Sequence, residues 1–113
     1  ATVLPVIKAC NAAGVPIVLY NRPPAKDRGR AVTVVADNRA ITRDTVRYLC
    51  ELAKARGRPQ KAVILMGDLA DLNAIARRDG FDDAVKEYPG AVEVVGRVPT
   101  EWNQEKALAG LEA

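Results

Sequence analysis

Residues 59–99, PQKAVILMGDLADLNAIARRDGFDDAVKEYPGAVEVVGRVP, decide the fold of this 113-residue chain. The stretch opens on an uninterrupted apolar run, Ala62 to Met66, and ends on a second apolar segment, Val92 to Val98. Between them, apolar residues recur at helical spacing over 72–88, and Pro89-Gly90 ends the pattern. A strand, a helix and a second strand in this order predict a right-handed βαβ unit with parallel strands.

The same alternation extends to both ends of the chain. Helices are predicted over 2–13, over 39–56 and from Trp102 to the end, and strands over 16–20 and 32–35, with a polar loop over 23–30. The predicted fold class is therefore α/β, with partial doubly wound parallel sheets in a three-layer αβα arrangement. Because the pattern stops directly after a helix, we expect the chain to be a piece of a longer protein.

The core is predicted to be aliphatic, since apolar residues make up 49% of the chain and aromatic residues only 4%. Continuous apolar strands favour sheets that are covered on both faces. The predicted buried side of helix 39–56 is Ile41, Val46, Leu49, Cys50 and Ala53, and that of helix 72–88 is Leu72, Ile75, Phe81, Ala84, Val85 and Tyr88. Gly80 predicts a close packing contact, and Cys10 and Cys50 are interpreted as buried apolar side chains, with a disulfide as the alternative.

Several kinds of chemistry are excluded by composition. The chain contains no His and no Ser, which rules out Ser-His triads, Cys-His pairs and His-based metal sites within it. Two cysteines are too few for a zinc site, and neither a GxGxxG nor a phosphate-loop motif is present. No apolar run approaches the roughly 20 residues of a membrane helix. We predict no metal and no cofactor.

The net charge of +3 conceals an asymmetry along the chain. Residues 22–61 carry eleven Lys or Arg and four Asp or Glu, whereas residues 62–113 carry five and ten. A basic stretch can bind nucleic acid, but here the charges are spread over a loop and a helix with Tyr48 as the only interleaved aromatic residue. A solvated face is the preferred interpretation, and no nucleic-acid partner is predicted.

Polar groups and the single tryptophan follow the predicted strands. In α/β sheets, ligands bind at the carboxyl ends of the strands. The residues at those ends are Asn21 and Arg22, then Asp37 and Asn38, then Asp68, Asp71, Asn73 and Arg77, and finally Trp102. Amide, carboxylate and guanidinium groups suit a polyhydroxylated ligand, and a flat indole packs against the C–H face of a sugar.

Structural interpretations of the same residues stand beside this one. Arg22 can be a surface ion-pair partner, and Arg77 can belong to a helical charge network with the nearby aspartates. Asp37 or Asn38 is interpreted as a helix cap, and Trp102 can cap the core. The case for a ligand site comes from the convergence of these residues.

Four segments, taken in order and spacing, resemble a known family. They are residues 13–22 (AGVPIVLYNR), 34–38 (VVADN), 71–81 (DLNAIARRDGF) and 100–103 (TEWN). The chain resembles the middle of a type I periplasmic solute-binding protein of a sugar ABC importer, similar to ribose-, galactose- and xylose-binding proteins. The resemblance covers essentially the whole chain.

The resemblance implies two α/β lobes joined by a hinge and closing on a sugar. It implies that residues 1–36 end the first lobe and residues 37–113 begin the second. Asn21 and Arg22 match first-lobe hydroxyl contacts, Asp71, Asn73 and Arg77 match second-lobe contacts, and Trp102 matches the aromatic residue that stacks on the sugar. Ribose binders usually have Asp at the position of Asn21, whereas galactose binders have Asn. The family's remaining contacts are expected before residue 1 or after residue 113.

The predicted function is therefore that of a periplasmic, non-enzymatic binding protein that delivers a monosaccharide to a membrane permease. The alternative is the effector-binding domain of a lactose-repressor-type regulator, although RGRPQK over 56–61 departs from its usual lead into the third strand. An enzyme of receiver or hydrolase type would need Asp37, Asp68 or Asp71 as its nucleophile. Uncovered apolar faces further predict an oligomer or a domain swap of the 113-residue chain.

Overall fold

The α/β alternation predicted from sequence is present in a computed structural model, which describes residues 3–22, 24 and 29–113. The elements are α1 (Val3–Ala12), β1 (Val18–Tyr20), β2 (Val32–Val34), α2 (Asn38–Ala55), β3 (Gln60–Met66), α3 (Leu72–Glu87), β4 (Val92–Pro99) and α4 (Gln104–Glu112). Most of the predicted polar loop over 23–30 and the first residue of the predicted first helix lie outside the described residues. The predicted fold class is confirmed.

The chain divides into two compact units, residues 1–36 and residues 37–113. In the first, β1 and β2 pair in parallel, with Val18 opposite Val32. Its core contains Ile7 from α1 and Leu19 from β1, both buried. The Asn11 side chain connects α1 to the segment before β2. Its Nδ2 donates to Arg30 O, and its Oδ1 accepts from Arg30 N, each at 2.9 Å.

The second unit contains a parallel pair with helices on both faces. Strands β3 and β4 run in register from Gln60 opposite Val92 to Met66 opposite Pro99, with one irregularity between Ala62 and Val63. Arg97 reaches Asp82 of α3 at 2.5 Å, whereas its neighbour Val98 lies against Gly110 of α4. Because successive strand residues face opposite sides, α3 and α4 cover opposite faces of the sheet.

In each of the three helices of this unit, the side chain of the residue just before the helix caps its N-terminus. Asp37 accepts from Ala40 N, Asp71 from Asn73 N and Asn103 from Lys106 N, each at 2.9 Å. These side chains satisfy amide donors that a helix leaves without an intrahelical partner. The cap of α2 is therefore Asp37 rather than Asn38.

Helices α2 and α3 pack closely side by side. A methyl group at Gly80 would overlap the backbone carbonyl of Arg39, so the predicted close contact at this glycine is confirmed. Around it, Arg39 pairs with Asp83 at 2.7 Å, and the Tyr88 hydroxyl donates to Glu51 at 2.9 Å. The small residue at the crossing and the polar pairs beside it fix how α2 lies on α3.

Several predicted core positions are exposed, and these predictions were wrong. Ile41 is 57% exposed, Leu49 55% and Leu72 41%, and the β1 face formed by Val18 and Tyr20 is open. The physical reason in α2 is that its main contact is with α3, and this contact buries Cys50 and Ala53 but leaves Ile41 and Leu49 exposed.

The two cysteines differ in environment and are both free thiols. Cys50 is fully buried, as predicted, but Cys10 is only half-buried. Burial, with a smaller contribution from Glu87, raises the pKa of the Cys50 thiol. The thiol therefore stays protonated at neutral pH and behaves as a small apolar side chain.

The described residues contain neither a membrane-spanning helix nor a metal-binding cluster. No helix among them is long and apolar enough to cross a membrane. Within the same part of the chain, no three His, Cys, Asp or Glu side chains are grouped so as to hold a metal ion.

Candidate functional site

The carboxyl ends of β3 and β4 are joined by a buried threonine. Thr100 follows β4, and both its backbone N and its Oγ1 donate to Met66 O at the end of β3, each at 2.8 Å. Only 7% of Thr100 is exposed. This double hydrogen bond fixes the start of the loop that carries Trp102.

The backbone of that loop turns the tryptophan back over the end of β3. Glu101 and Trp102 both adopt the left-handed conformation, with φ of 51° and 60°. The indole then lies directly on Gly67, where any side chain would overlap the ring. Half of the Trp102 surface nevertheless stays exposed.

Arg77 lies beside this indole and is oriented by a buried amide. Its Cζ is 5.9 Å from the centroid of the Trp102 ring, within the range of a cation–π contact. Its Nε donates to Asn38 Oδ1 at 3.0 Å, and Asn38 Nδ2 donates to Asn73 Oδ1 at 3.0 Å. The structure therefore brings three of the predicted residues, Asn73, Arg77 and Trp102, together at one end of the sheet.

The charge network considered for this helix involves other arginines. Asp79 binds Arg78 at 2.7 Å, Asp82 binds Arg97 at 2.5 Å, and Asp83 binds Arg39 at 2.7 Å. The contacts of Arg77 are instead the Asn38 amide and the indole. Arg78, and not Arg77, therefore takes part in the charge network with the nearby aspartates.

Asp71 has a structural contact in addition to its predicted role. Its Oδ1 accepts from Asn73 N as the cap of α3, and the side chain is half-buried. Asp68 similarly accepts from Ala70 N at 2.8 Å. Both carboxylates order the loop that leads from β3 into α3, and so they help to place Asn73.

Asn21 and Arg22 belong to the first unit and lie at the carboxyl end of β1. Asn21 has a left-handed backbone with φ of 68°, and its N donates to Val34 O at 2.8 Å. The N of Arg22 donates to Tyr20 O at the same distance, and both side chains are exposed. They occupy the strand-end position that the sequence predicted.

A mainly apolar cavity of about 250 Å³ adjoins the indole and Arg77. Its lining comes mainly from β3, α3 and the loop after β4, with Thr42 from α2, and includes Ile64, Met66, Phe81 and Trp102. A larger cavity of about 460 Å³ lies between the C-terminal ends of α2 and α3, where Gly57, Pro59, Tyr88 and Pro89 line it. Only the first cavity includes predicted site residues.

Two residues of this site were missed from the sequence alone. The sequence places Asn38 at a strand end and offers it as one of two possible helix caps, and it assigns no role to Gly67. No local pattern distinguishes a buried bridging asparagine from a capping one. The clash at Gly67 depends on a tryptophan 35 positions further along the chain.

Comparisons with known proteins agree on one family. The family described as "Periplasmic binding protein domain" matches residues 1–113. A curated relative, the D-apiose import binding protein of Actinobacillus succinogenes, is 27% identical over 107 residues, which cover 95% of this chain and 33% of that protein.

Solved structures show the same fold. A galactofuranose binding protein matches with a TM-score of 0.77 and 26% identity over 99% of this chain and 38% of its own. An ABC transporter periplasmic solute binding protein from Actinobacillus succinogenes, with bound D-allose, matches with a TM-score of 0.76 and 24% identity over 93% of this chain and 38% of its own. The chain thus spans about a third of the length of the relatives it matches. It belongs to the periplasmic binding protein domain family.

Proposed function

We propose that this chain contributes sugar-binding surface to the periplasmic binding protein of an ABC importer. The ligand is a monosaccharide, and the protein delivers it to a permease in the membrane. Support comes from the matched family and from relatives whose names refer to D-apiose import, to galactofuranose and to bound D-allose. These names favour an importer protein over the regulator considered above, and binding rather than catalysis.

One observation carries the proposal: a half-exposed indole stands beside an arginine that an amide orients, at the carboxyl end of a parallel sheet. An indole face packs against sugar C–H groups, and a guanidinium donates to hydroxyl oxygens. Asn73 and Asp71 supply further hydroxyl-binding groups from the start of α3. Asn21 and Arg22 do so from the first unit.

Ligand binding in such a protein shifts an equilibrium between open and closed lobes. The two compact units, 1–36 and 37–113, are proposed to belong to the first and the second lobe. A ligand that contacts both lobes favours the closed state, because its contacts with one lobe are lost on opening.

The proposal is tested by calorimetry on the full natural protein that contains this chain. The panel comprises D-apiose, D-galactose, D-allose, D-ribose and D-xylose. At least one sugar is expected to bind. W102A and R77A are each expected to weaken the binding of that sugar at least about tenfold, which corresponds to roughly 1.4 kcal/mol.

The matched control is R97A, because Arg97 also lies over an aromatic ring, with its Cζ 5.8 Å from the Phe81 centroid. This variant is expected to bind the best sugar as the wild type does. If W102A and R77A bind as tightly as R97A, the site assignment is wrong. If no sugar binds the wild type, the proposed function itself fails.

A further inference from the structure

The hydrogen bonds between Arg77, Asn38 and Asn73 have one self-consistent direction. A guanidinium only donates, so the Asn38 atom that meets Nε must be the carbonyl oxygen. The other end of the Asn38 amide is then a donor, and the atom of Asn73 that receives it must be its own carbonyl oxygen. The arginine therefore fixes the orientation of both amides.

Asn38 is well placed to hold this arrangement. It is 7% exposed, it is the first residue of α2, and Asp37 rather than Asn38 caps that helix. Arg77 and Asn73 both lie on α3, which packs tightly against α2 where Gly80 meets the Arg39 backbone. The amide is thus buried between two helices whose separation is fixed by direct contact.

The consequence for Arg77 is a restricted guanidinium. Asn38 occupies its Nε, and the Trp102 ring lies 5.9 Å from its Cζ. A hydrogen bond at Nε opposes rotation about the Cδ–Nε bond, and a ring near the guanidinium limits its tilt. The edge that remains for a ligand is the one with Nη1 and Nη2, whose N–H groups can donate to two neighbouring oxygens.

We propose that Asn38 is the positioning residue of the sugar site: it fixes Arg77 so that the Nη edge of the guanidinium meets the ligand. This inference rests on the proposed sugar-binding function. Asn38 acts through Arg77, and its amide contributes to affinity without touching the sugar.

The experiment compares three variants in the full natural protein. N38A removes the acceptor, N38D keeps an acceptor for Arg77 but cannot donate to Asn73, and D37A removes the neighbouring helix cap without removing the Asn38 amide. The Nε–Hε signal of Arg77 is followed by NMR and assigned by its loss in R77K. We expect the signal to shift in N38A towards the position of a solvent-exposed arginine, and to remain that of a bonded arginine in N38D and D37A.

Sugar affinity supplies the second measurement. N38A is expected to bind the best sugar about tenfold more weakly than the wild type does. N38D is expected to bind it with an affinity within about threefold of the wild-type affinity. Because Asn38 acts through Arg77, N38A combined with R77A is expected to bind no more weakly than R77A alone.

The proposal is overturned if N38A leaves the Nε–Hε signal unchanged, if D37A and N38A shift it equally, or if the losses in N38A and R77A add. The two proposals fail separately. Absence of sugar binding by the wild type would end the proposed function, whereas an unchanged NMR signal in N38A would end the role of Asn38 even if sugar binds.

Discussion

Trp102 is held in its position by a backbone that side-chain-bearing residues rarely adopt. Glu101 and Trp102 are consecutive left-handed residues, a conformation that costs roughly 1–2 kcal/mol for each. Hydrogen bonds on both sides offset this cost: Thr100 is bound to Met66 O, and Asn103 N donates to Thr100 O at 2.8 Å. Strain of this kind is typical of functional sites, where surrounding structure holds a side chain in a position that the local sequence would not favour.

A methyl group at Gly67 is predicted to displace the indole. In G67A the new Cβ overlaps the Trp102 ring, so the loop must move, and we expect a loss of about 1–3 kcal/mol in the free energy of unfolding. Sugar affinity should fall at least about tenfold, since the stacking face moves with the ring. Chemical denaturation and calorimetry measure the two effects.

The control for this substitution is G96A in β4, where the nearest atoms to the added Cβ belong to the Val63 side chain, the first at 3.3 Å. Val63 is 44% exposed and can shift, so sugar affinity should stay at the wild-type value. Equal affinity in G67A and G96A would show that the indole position does not matter to the ligand.

At the scale of the elements, the packing of α2 against α3 depends on one glycine and a set of ion pairs. Gly80 costs about 1 kcal/mol of helix propensity relative to Ala, but it allows the Arg39 backbone to come close. The hydrogen bond from Arg39 holds the pKa of the Asp83 carboxyl below its ordinary value. Asp83 is therefore more readily ionised in the folded chain than in the unfolded one, and its ionisation stabilises the folded state.

This lowered pKa predicts a pH-dependent difference between wild type and D83N. The stabilisation is present above the ordinary pKa of an aspartate and is lost as the pH falls through the lowered pKa of Asp83. Thermal unfolding should therefore show D83N less stable than wild type near neutral pH, with the difference in Tm shrinking as the pH falls below the ordinary pKa of an aspartate.

The matched substitution is D44N, since Asp44 also lies near an arginine but at 3.4 Å and with 63% of its side chain exposed. D44N should differ little from wild type in Tm near neutral pH, because exposed ion pairs contribute little. A D83N curve that runs parallel to the wild-type curve from neutral to acid pH would contradict the linkage.

At the scale of the whole molecule, large apolar areas are exposed. Along α2, Ile41, Tyr48, Leu49 and Leu52 recur at helical spacing and are between 46% and 62% exposed. In the described residues, β3 pairs only with β4, so its other edge has no partner strand. Contiguous apolar surface and open strand edges promote association.

We therefore predict that the 113-residue chain by itself self-associates. Light scattering coupled to gel filtration should give a mass above 12.2 kDa, and the charge-introducing double variant L49K/L52K should reduce it. The control is the exposed polar residue Thr45, as T45K. A wild-type chain that is monomeric and melts cooperatively would refute this prediction.

The order and type of the elements were predictable from the sequence, because they depend on local physics. Apolar periodicity, a capping residue such as Asp37, and the terminating Pro89-Gly90 act within a few residues of one another. The same is true of the strand-end positions of Asn73, Arg77 and Trp102. Their role in binding a sugar stays a prediction.

Only the tertiary structure decided which apolar faces are covered and how the site residues meet. Ile41 and Cys50 both fit the apolar periodicity of α2. Ile41 is nevertheless exposed and Cys50 is buried, because burial depends on which side of α2 meets α3. Asn38 and Gly67 acquire their roles from Arg77 and Trp102, which are 39 and 35 positions away. Contacts at that separation are set by helix packing and strand register, and no local sequence pattern encodes them.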